Sequence, residues 1–340
     1  MRPEQLQRYL RYGLMSLAHM TPRKLVNLAA VEWKLASGNP DVSGLSPHTV
    51  FVDISNGCNL RCPLCQTGRR KNVQRRNVMT AENYARIIEP VKDRLLQVFL
   101  FNWGEPFLNP SIYDILRYNA DNNIASIVSS NLNLPLNAQR LVESGCDYLI
   151  VSADGATQEV YEKYRVGGSL QAVSDNVTAI VAAKKRAGRS NPVIEWQCLV
   201  SSHNEHLLGD VRAHARNLGA NVVRFANLNF FSADEEASAT GEWLPANPRY
   251  RSLAPSPPKP GAKRKPCFWL WRIALVNSDG GLTPCCLYDI PNWAEAGEGG
   301  LPAAWNSLPF KEARERSLAS PPPHANSSIC DRCTASFIYK

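Results

Sequence analysis

Ten cysteines carry most of the chemistry available to this 340-residue chain: Cys58, Cys62, Cys65, Cys146, Cys198, Cys267, Cys285, Cys286, Cys330 and Cys333. In a reducing compartment, clustered cysteines read as metal ligands or catalysts rather than structural disulfides. Three of them form Cys58-Asn-Leu-Arg-Cys62-Pro-Leu-Cys65, a C-x3-C-x2-C loop. Three thiolates on one compact loop can hold three irons of a cubane, leaving the fourth iron open to a substrate or cofactor. Zinc would want a fourth ligand. No histidine or further cysteine lies between Cys65 and Cys146, so a zinc reading needs a distant ligand. Five further cysteines follow residue 266. Of these, Cys267, Cys285, Cys330 and Cys333 suffice to ligate one cluster fully or one structural zinc ion. Cys286, next to Cys285, is either its substitute, a bystander, or a thiol able to donate hydrogen. Cys146 and Cys198 stand alone and read as core. His203 and His206 have a metal-like spacing, but Ser202 and Glu205 match a capping box that explains the segment more simply.

The elements that must position these residues alternate. Apolar, β-branched runs occur at 49–54, 96–101, 124–129, 147–152, 193–200 and 221–226. Helical stretches separate them at 80–92, 111–120, 137–144, 157–187 (broken at Gly167-Gly168) and 203–217. Thr80, Asn137 and Thr157 are N-caps, and Gly145 and Gly219 suit helix ends. Strand–helix repetition predicts parallel strands with right-handed crossovers. Six units are too few for a closed eight-stranded barrel, which leaves an open partial barrel or a doubly wound sheet.

Ahead of this repeat, residues 1–47 read as helices. Leu6, Tyr9, Leu10 and Leu14, then Leu25, Leu28, Val31, Trp33 and Leu35, give a broken helical period expected to pack on the rest of the protein. The interleaved Arg and Lys would also suit a membrane-surface helix. After the repeat, 231–266 is polar, proline-rich and basic, as a linker or mobile loop would be. In the final segment, Ile273–Asn277 and Leu282–Cys285 around Asp279-Gly280-Gly281 read as a β-hairpin. The expected organisation is thus 1–47 N-terminal helices, 48–230 an α/β unit, 231–266 a linker and 267–340 a small cysteine-bearing module.

Hydrophobic residues make up 44% and charged residues 20%, ordinary globular usage that argues against a disordered chain. No run approaches the roughly 18 apolar residues of a membrane span, and the N-terminus lacks a signal-peptide core. A soluble cytoplasmic protein is expected. The formal net charge is +8, with Arg69, Arg70, Lys71, Arg75 and Arg76 grouped without an acid. Such a loop could meet a carboxylate or phosphate. Aromatics are not interleaved with these arginines, so a nucleic-acid partner is not expected.

With these motifs in place, the chain resembles the radical S-adenosylmethionine (SAM) enzymes, over about 49–227. The C-x3-C-x2-C loop after the first strand is that superfamily's hallmark. Asn102-Trp103-Gly104-Glu105-Pro106, after strand two, is similar to its Gly-Gly-Glu-Pro motif, with Trp103 replacing the first glycine. Exposed backbone and a carboxylate would there meet the SAM ammonium. Ser129-Ser130-Asn131 resembles the Thr-Asn-Gly segment near the ribose. Ser152-Ala153-Asp154-Gly155 resembles Ser-Leu-Asp-Gly, Tyr164-Arg165-Val166-Gly167-Gly168 the arginine segment after it, and Arg224-Phe225 a frequent pair after strand six. Leu64 departs from the aromatic residue usual before the third cysteine. These motifs follow predicted strands, where barrel active sites form.

The resemblance implies a partial (β/α)6 TIM-like barrel. It also implies a [4Fe–4S] cluster on Cys58, Cys62 and Cys65, with SAM held by Gly104, Glu105, Pro106, Ser130, Asn131, Ser152, Asp154 and Arg165. Cleavage of SAM would yield a 5′-deoxyadenosyl radical that removes hydrogen from carbon. The segment Ile273–Cys286, with Trp305-Asn306-Ser307, Phe310-Lys311, Arg314 and Arg316, resembles the SPASM/twitch extension. That extension implies a second [4Fe–4S] cluster on Cys267, Cys285, Cys330 and Cys333, suited to electron transfer, within a small α+β module. A flavodoxin or ferredoxin would supply electrons. Peptide modifiers of this kind often carry a longer, stranded leader-binding domain, whereas 47 mainly helical residues precede strand one. The expected substrate is therefore a small, sugar-like or aminocyclitol intermediate, oxidised at a secondary alcohol. Epimerisation (with Cys286 as hydrogen donor), decarboxylation, peptide modification or maturation, and a non-catalytic iron–sulfur electron carrier are the alternatives.

Overall fold

A computed structural model describes residues 3–69, 77–228, 241–251, 266–286, 291–297 and 299–318. Cys330 and Cys333, Arg70, Lys71, Arg75 and Arg76, and most of the expected linker lie outside the described residues. The six predicted strands are β1 (Thr49–Val52), β2 (Gln97–Phe99), β3 (Ala125–Ser130), β4 (Tyr148–Ser152), β5 (Val193–Val200) and β6 (Val222–Asn227). They pair in parallel and in sequence order. The sheet does not close, which makes it a partial barrel.

Helices cross between the strands: α3 (Gln66–Arg69), α4 (Ala81–Ile88), α5 (Ile112–Asp121), α6 (Ala138–Glu143), α7 (Gln158–Tyr164), α8 (Leu170–Arg186) and α9 (Leu208–Asn217). Thr80, Asn137 and Thr157 accept from Asn83 N, Arg140 N and Val160 N, as N-caps do. Gly145 takes φ +85° and Gly219 φ +96°, left-handed positions where a Cβ would be strained. One face of the sheet buries Val50, Val98, Val128, Leu149, Val151, Ile194, Trp196 and Val223 in the main core. The other lines the lumen, with Phe99, Phe101, Ile127, Tyr148 and Ile150 gathered together.

Two helices precede the barrel, α1 (Pro3–Ala18) and α2 (Pro22–Ser37). Thr21 caps α2 through Lys24 N, and Gly38 ends it at φ +66°. On α1, Tyr12 stacks on Phe99 and packs tilted against Tyr148, Arg8 pairs with Glu195 at 3.1 Å, and Gln7 donates to Asn221 O. Tyr148 and Asn221 stand where β4 and β6 begin, so α1 closes the barrel at the strand starts, opposite the cysteine loop. His19 continues this seam, 3.0 Å from Asp147 and 3.1 Å from Asn123. The periodic residues of the two helices do not all pack inward as expected. On α1, Leu6, Tyr9, Leu10 and Leu14 are exposed because the face turned to the barrel is the Arg8–Tyr12–Met15 arc; on α2, Leu25 and Trp33 are exposed because Lys24, Asn27 and Val31 form the buried face.

The final segment extends the same sheet. After α10 (Phe268–Arg272), β7 (Ile273–Val276) pairs in parallel with β1, and β8 (Gly281–Thr283) returns antiparallel as the predicted hairpin. β9 (Ala294–Glu295) follows, then α11 (Gly300–Trp305) and α12 (Leu308–Leu318). Among the described residues the strand order is β6-β5-β4-β3-β2-β1-β7-β8-β9. Arg314, fully buried, donates to Leu270 O and Trp305 O and ties α12 to α10 and α11.

Two local expectations are corrected. The Ser202/Glu205 capping box does not form: Glu205 accepts from Ala246 N and Asn247 N, both at 2.9 Å, so long-range amides displace the local one. Those amides belong to 241–251, read as linker. This part packs instead, with Trp243 and Leu244 buried beside Leu60 and Cys62.

Candidate active site

The cysteine loop leaves β1 at Val52 and enters α3 at Gln66. Cys65 N donates to Cys62 O, Arg69 N donates to Cys65 O, and Arg61 N reaches across to Val166 O. A Cβ on Gly68 would lie 2.4 Å from Cys62 O, so a side chain there would push the loop apart. Leu60, Cys62, Tyr164, Leu228, Trp243 and Leu244 form a small apolar cluster, with Cys58, Leu64 and Cys65 packed against it. Burial pushes the Cys62 thiol up to about 11 against the pull of Arg165, and raises Cys58 against its hydrogen bond from Leu60 N. Thiols so placed stay protonated until a metal displaces the proton. Among the described residues no three His, Cys, Asp or Glu side chains converge on a single metal ion.

Three further strand ends lean on this loop. After β2, Gly104 N donates to Asp53 Oδ1 at 3.3 Å and Glu105 N to Gly57 O at 2.7 Å. A Cβ on Gly104 would lie 1.6 Å from Ser55 O, so only glycine permits this approach. Thr67 Oγ1 donates to Trp103 O, and Pro106 opens the short 3-10 turn Pro106–Leu108. Glu105 is 3% exposed, and its carboxylate accepts from Ser130 Oγ at 2.7 Å, Asn131 N at 2.9 Å and Phe107 N at 3.1 Å. Burial raises its pKa, opposed chiefly by those donors.

After β3, Asn131 Nδ2 faces Asn59 Oδ1 at 3.0 Å and Cys58 Sγ at 3.7 Å. After β4, buried Asp154 accepts from Arg165 Nε and from Leu199 N, both at 2.6 Å. Arg165 in turn reaches Cys62 Sγ at 3.9 Å. Burial alone would lower the Arg165 pKa, but Asp154 and Cys62 hold it well above its ordinary value. Ser152 Oγ lies 3.4 Å from Ser129 Oγ, on the lumen side.

The structure therefore brings Cys58, Cys62, Cys65, Gly104, Glu105, Pro106, Ser130, Asn131, Asp154 and Arg165 to one rim, with Ser152 just below. Glu105 also has a part within the protein itself. The carboxylate is held by protein donors and braces the strand-two loop to the strand-three loop. Sequence reading missed Asp53, Asn59 and Trp243. Asp53 lacked a motif, Asn59 sits unmarked inside the cysteine loop, and Trp243 hid in a polar segment where a lone tryptophan was the only signal.

The donor set fits a cluster-and-SAM site. Three cysteines share one loop, N–H donors point at two of their sulfurs, and a buried arginine stands beside them. In the C-terminal segment, Cys267 and Cys286 pack, as Phe51 does, against Trp269, Ile273 and Leu275, while Cys285 is half-buried beside them in sequence. This edge carries cysteines that could serve a second cluster together with Cys330 and Cys333.

Comparison with known proteins gives the same picture. Residues 52–193 match the Radical SAM superfamily, and residues 267–334 match an iron–sulfur cluster-binding domain, SPASM. The AdoMet-dependent heme synthase of Methanosarcina barkeri is 26% identical over 122 residues, 35% of each chain. The mycofactocin maturase of Mycobacterium ulcerans is 28% identical over 184 residues, 52% of this chain and 46% of that one. A probable GTP 3′,8-cyclase of Methanococcus maripaludis is 27% identical over 139 residues, 40% and 46%. The chain thus spans about a third to a half of the length of these curated relatives. Among solved structures, SuiB of Streptococcus suis bound to S-adenosylmethionine superposes with a TM-score of 0.60 at 16% identity, over 80% of this chain and 68% of that one. The chain thus carries a Radical SAM domain over residues 52–193 and a SPASM iron–sulfur cluster-binding domain over residues 267–334.

Proposed function

We propose that the rim is a radical SAM active site, with Cys58, Cys62 and Cys65 holding a [4Fe–4S] cluster and the surrounding loops holding SAM. The observation that supports it is the approach of Asn131 and Arg165, from two different strand ends, to the sulfurs of Cys58 and Cys62. Donors to cluster sulfurs tune such centres. Asp154 fixes the Arg165 guanidinium, leaving it as the buried cation nearest the cysteines and able to meet a carboxylate. Asp53 accepts from Gly104 N, Glu105 braces the loops after β2 and β3, and Trp243 with Leu244 covers the cysteine loop and keeps water from it. When bound, these groups supply a 5′-deoxyadenosyl radical for hydrogen abstraction and, at Cys267, Cys285, Cys330 and Cys333, a second cluster.

The substrate would enter from the rim. The lumen beneath it combines an aromatic floor (Phe51, Phe99, Phe101) with Ser129, Ser152 and Gln197, and α1 blocks the far end. That mixture of flat apolar and hydroxyl or amide groups suits a compact polyol better than an extended chain, and supports oxidation of a sugar-like or aminocyclitol secondary alcohol. Peptide modification is the second reading, favoured by the match to a mycofactocin maturase. The test is anaerobic turnover of the reconstituted protein with deuterated candidates. Deuterium should pass into 5′-deoxyadenosine, and the product should be two mass units lighter. An unchanged product mass with one solvent deuterium incorporated would replace oxidation by epimerisation. Absence of any SAM cleavage would leave only an electron carrier.

A further inference from the structure

Among the described residues, eleven large hydrophobic side chains are exposed, and eight of them sit on the two N-terminal helices. On α1 they are Leu6, Tyr9, Leu10, Leu14 and Leu17, spaced as one helical stripe on the side away from Arg8, Tyr12 and Met15. On α2 they are Leu25, Val26 and Trp33, and Ala29 joins them. Scattered exposed apolar residues need no explanation, but a contiguous stripe of this kind marks a surface that something covers.

The charge around the stripe narrows the occupant. Of the five basic residues in 3–37, Arg8 turns to the barrel and Lys24 is buried, which leaves Arg11, Arg23 and Lys34 beside the stripe; the two acids are Glu4 and Glu32. Glu32 is engaged with Arg272 and His48. Exposed Arg11 lies near Lys184, whose amine is depressed by burial and further by Arg11, and the two cations make a basic border beside α1. By α2, an apolar groove lined by Pro22, Val26, Ala30 and Leu45 is bracketed by Arg23 and Arg94; Arg23 also pairs with exposed Asp93. Tyr9 and Trp33, at 61% and 73% exposure, are residues that settle at lipid interfaces. A second copy of the chain would have to bring this same basic border against itself.

We propose that α1 and α2 form a peripheral docking surface for an anionic lipid bilayer, with Leu10, Leu14, Leu17 and Trp33 entering the headgroup–acyl boundary. Because α1 covers the strand starts, the bilayer would lie against the closed end of the barrel and leave the cysteine rim free to exchange substrate. No helix among the described residues is long and apolar enough to cross a membrane, and this contact requires none.

The test is flotation of the full-length reconstituted protein with phosphatidylcholine vesicles, with and without phosphatidylglycerol. Flotation should require the anionic lipid and weaken as salt is raised. Leu10→Glu with Leu14→Glu should lower partitioning by at least about tenfold. Iron content and melting temperature should hold, since both side chains are already in water. Arg11→Glu should mimic added salt. Three results would overturn the proposal: no flotation with either lipid, flotation indifferent to Leu10→Glu/Leu14→Glu, or a wild-type dimer in sedimentation that these substitutions dissolve. The last would assign the face to a second copy.

Discussion

The two cysteine-bearing regions of this chain are built by different means. Around Cys58, Cys62 and Cys65 the barrel uses polar contacts: Asn131 and Arg165 address the sulfurs, and Glu105 locks the loops that carry the motif residues. Cys267 and Cys286 pack against an apolar cluster on the added edge of the sheet, where Trp269 and Phe51 lie 5.0 Å apart between ring centroids. Polar contacts reach from several strands and fix orientation. Apolar packing fixes position. The first arrangement suits a centre that must meet a charged cofactor in one pose. The second suits a centre that has only to be held near.

The sharpest way to separate the regions is to empty one. Replacing Cys58, Cys62 and Cys65 together by alanine should reduce the iron content of reconstituted protein from about eight to about four atoms and abolish SAM cleavage. A wild-type protein that stops near four irons and carries one zinc would show that the C-terminal cysteines serve a structural ion. Next in size is Arg314→Met. It removes a fully buried cation that donates to two backbone carbonyls and should cost about 3 kcal/mol of stability from the lost charge-assisted hydrogen bonds, read by chemical denaturation, with C-terminal iron lost before rim iron. Equal loss from both regions would mean that they unfold as one unit.

Glu105→Ala probes the polar side of the comparison. Its three accepted hydrogen bonds hold two loops, so SAM affinity should fall roughly ten- to hundredfold, equivalent to about 1.5–3 kcal/mol, with both iron centres assembled. Unchanged affinity, measured by equilibrium dialysis, would remove the brace from the account. The smallest effect is expected at His19. Burial alone would lower its pKa, but Asp147 raises it above the ordinary histidine value. A raised folded pKa stabilises below the unfolded value of about 6.5, and the gain is lost as pH rises through the folded one. His19→Ala should therefore cost about 1 kcal/mol near pH 6 and less near pH 9, as differences in melting temperature. A cost independent of pH would mean that His19 acts by packing alone.

Much of this was legible in the sequence because it is local. The strands announced themselves by short β-branched runs, and Thr80, Asn137 and Thr157 by cap chemistry that depends only on the next three residues. The rim motifs were legible because each follows a strand end. What was lost is what depends on distant partners. Glu205 fits a local box, yet Ala246 and Asn247 outbid its neighbour. Trp243 looks like part of a linker until the pocket beside Cys62 exists to receive it. The helical period of α1 was visible, but a stripe of Leu6, Leu10 and Leu14 does not say whether it faces inward. Only the barrel, by accepting Tyr12 and Met15, decides that.

The pairing of β7 with β1 bears on how the chain matures. Thr49 finds its neighbour Ile273 only after about 220 further residues have been made. Until then one flank of the first strand, from which the cysteine loop departs, presents unpaired amides and carbonyls as synthesis proceeds. A ribosome-bound chain halted before Ile273 should therefore be prone to pair with other strands. Insertion of iron would best follow release, when the late hairpin has sealed that flank.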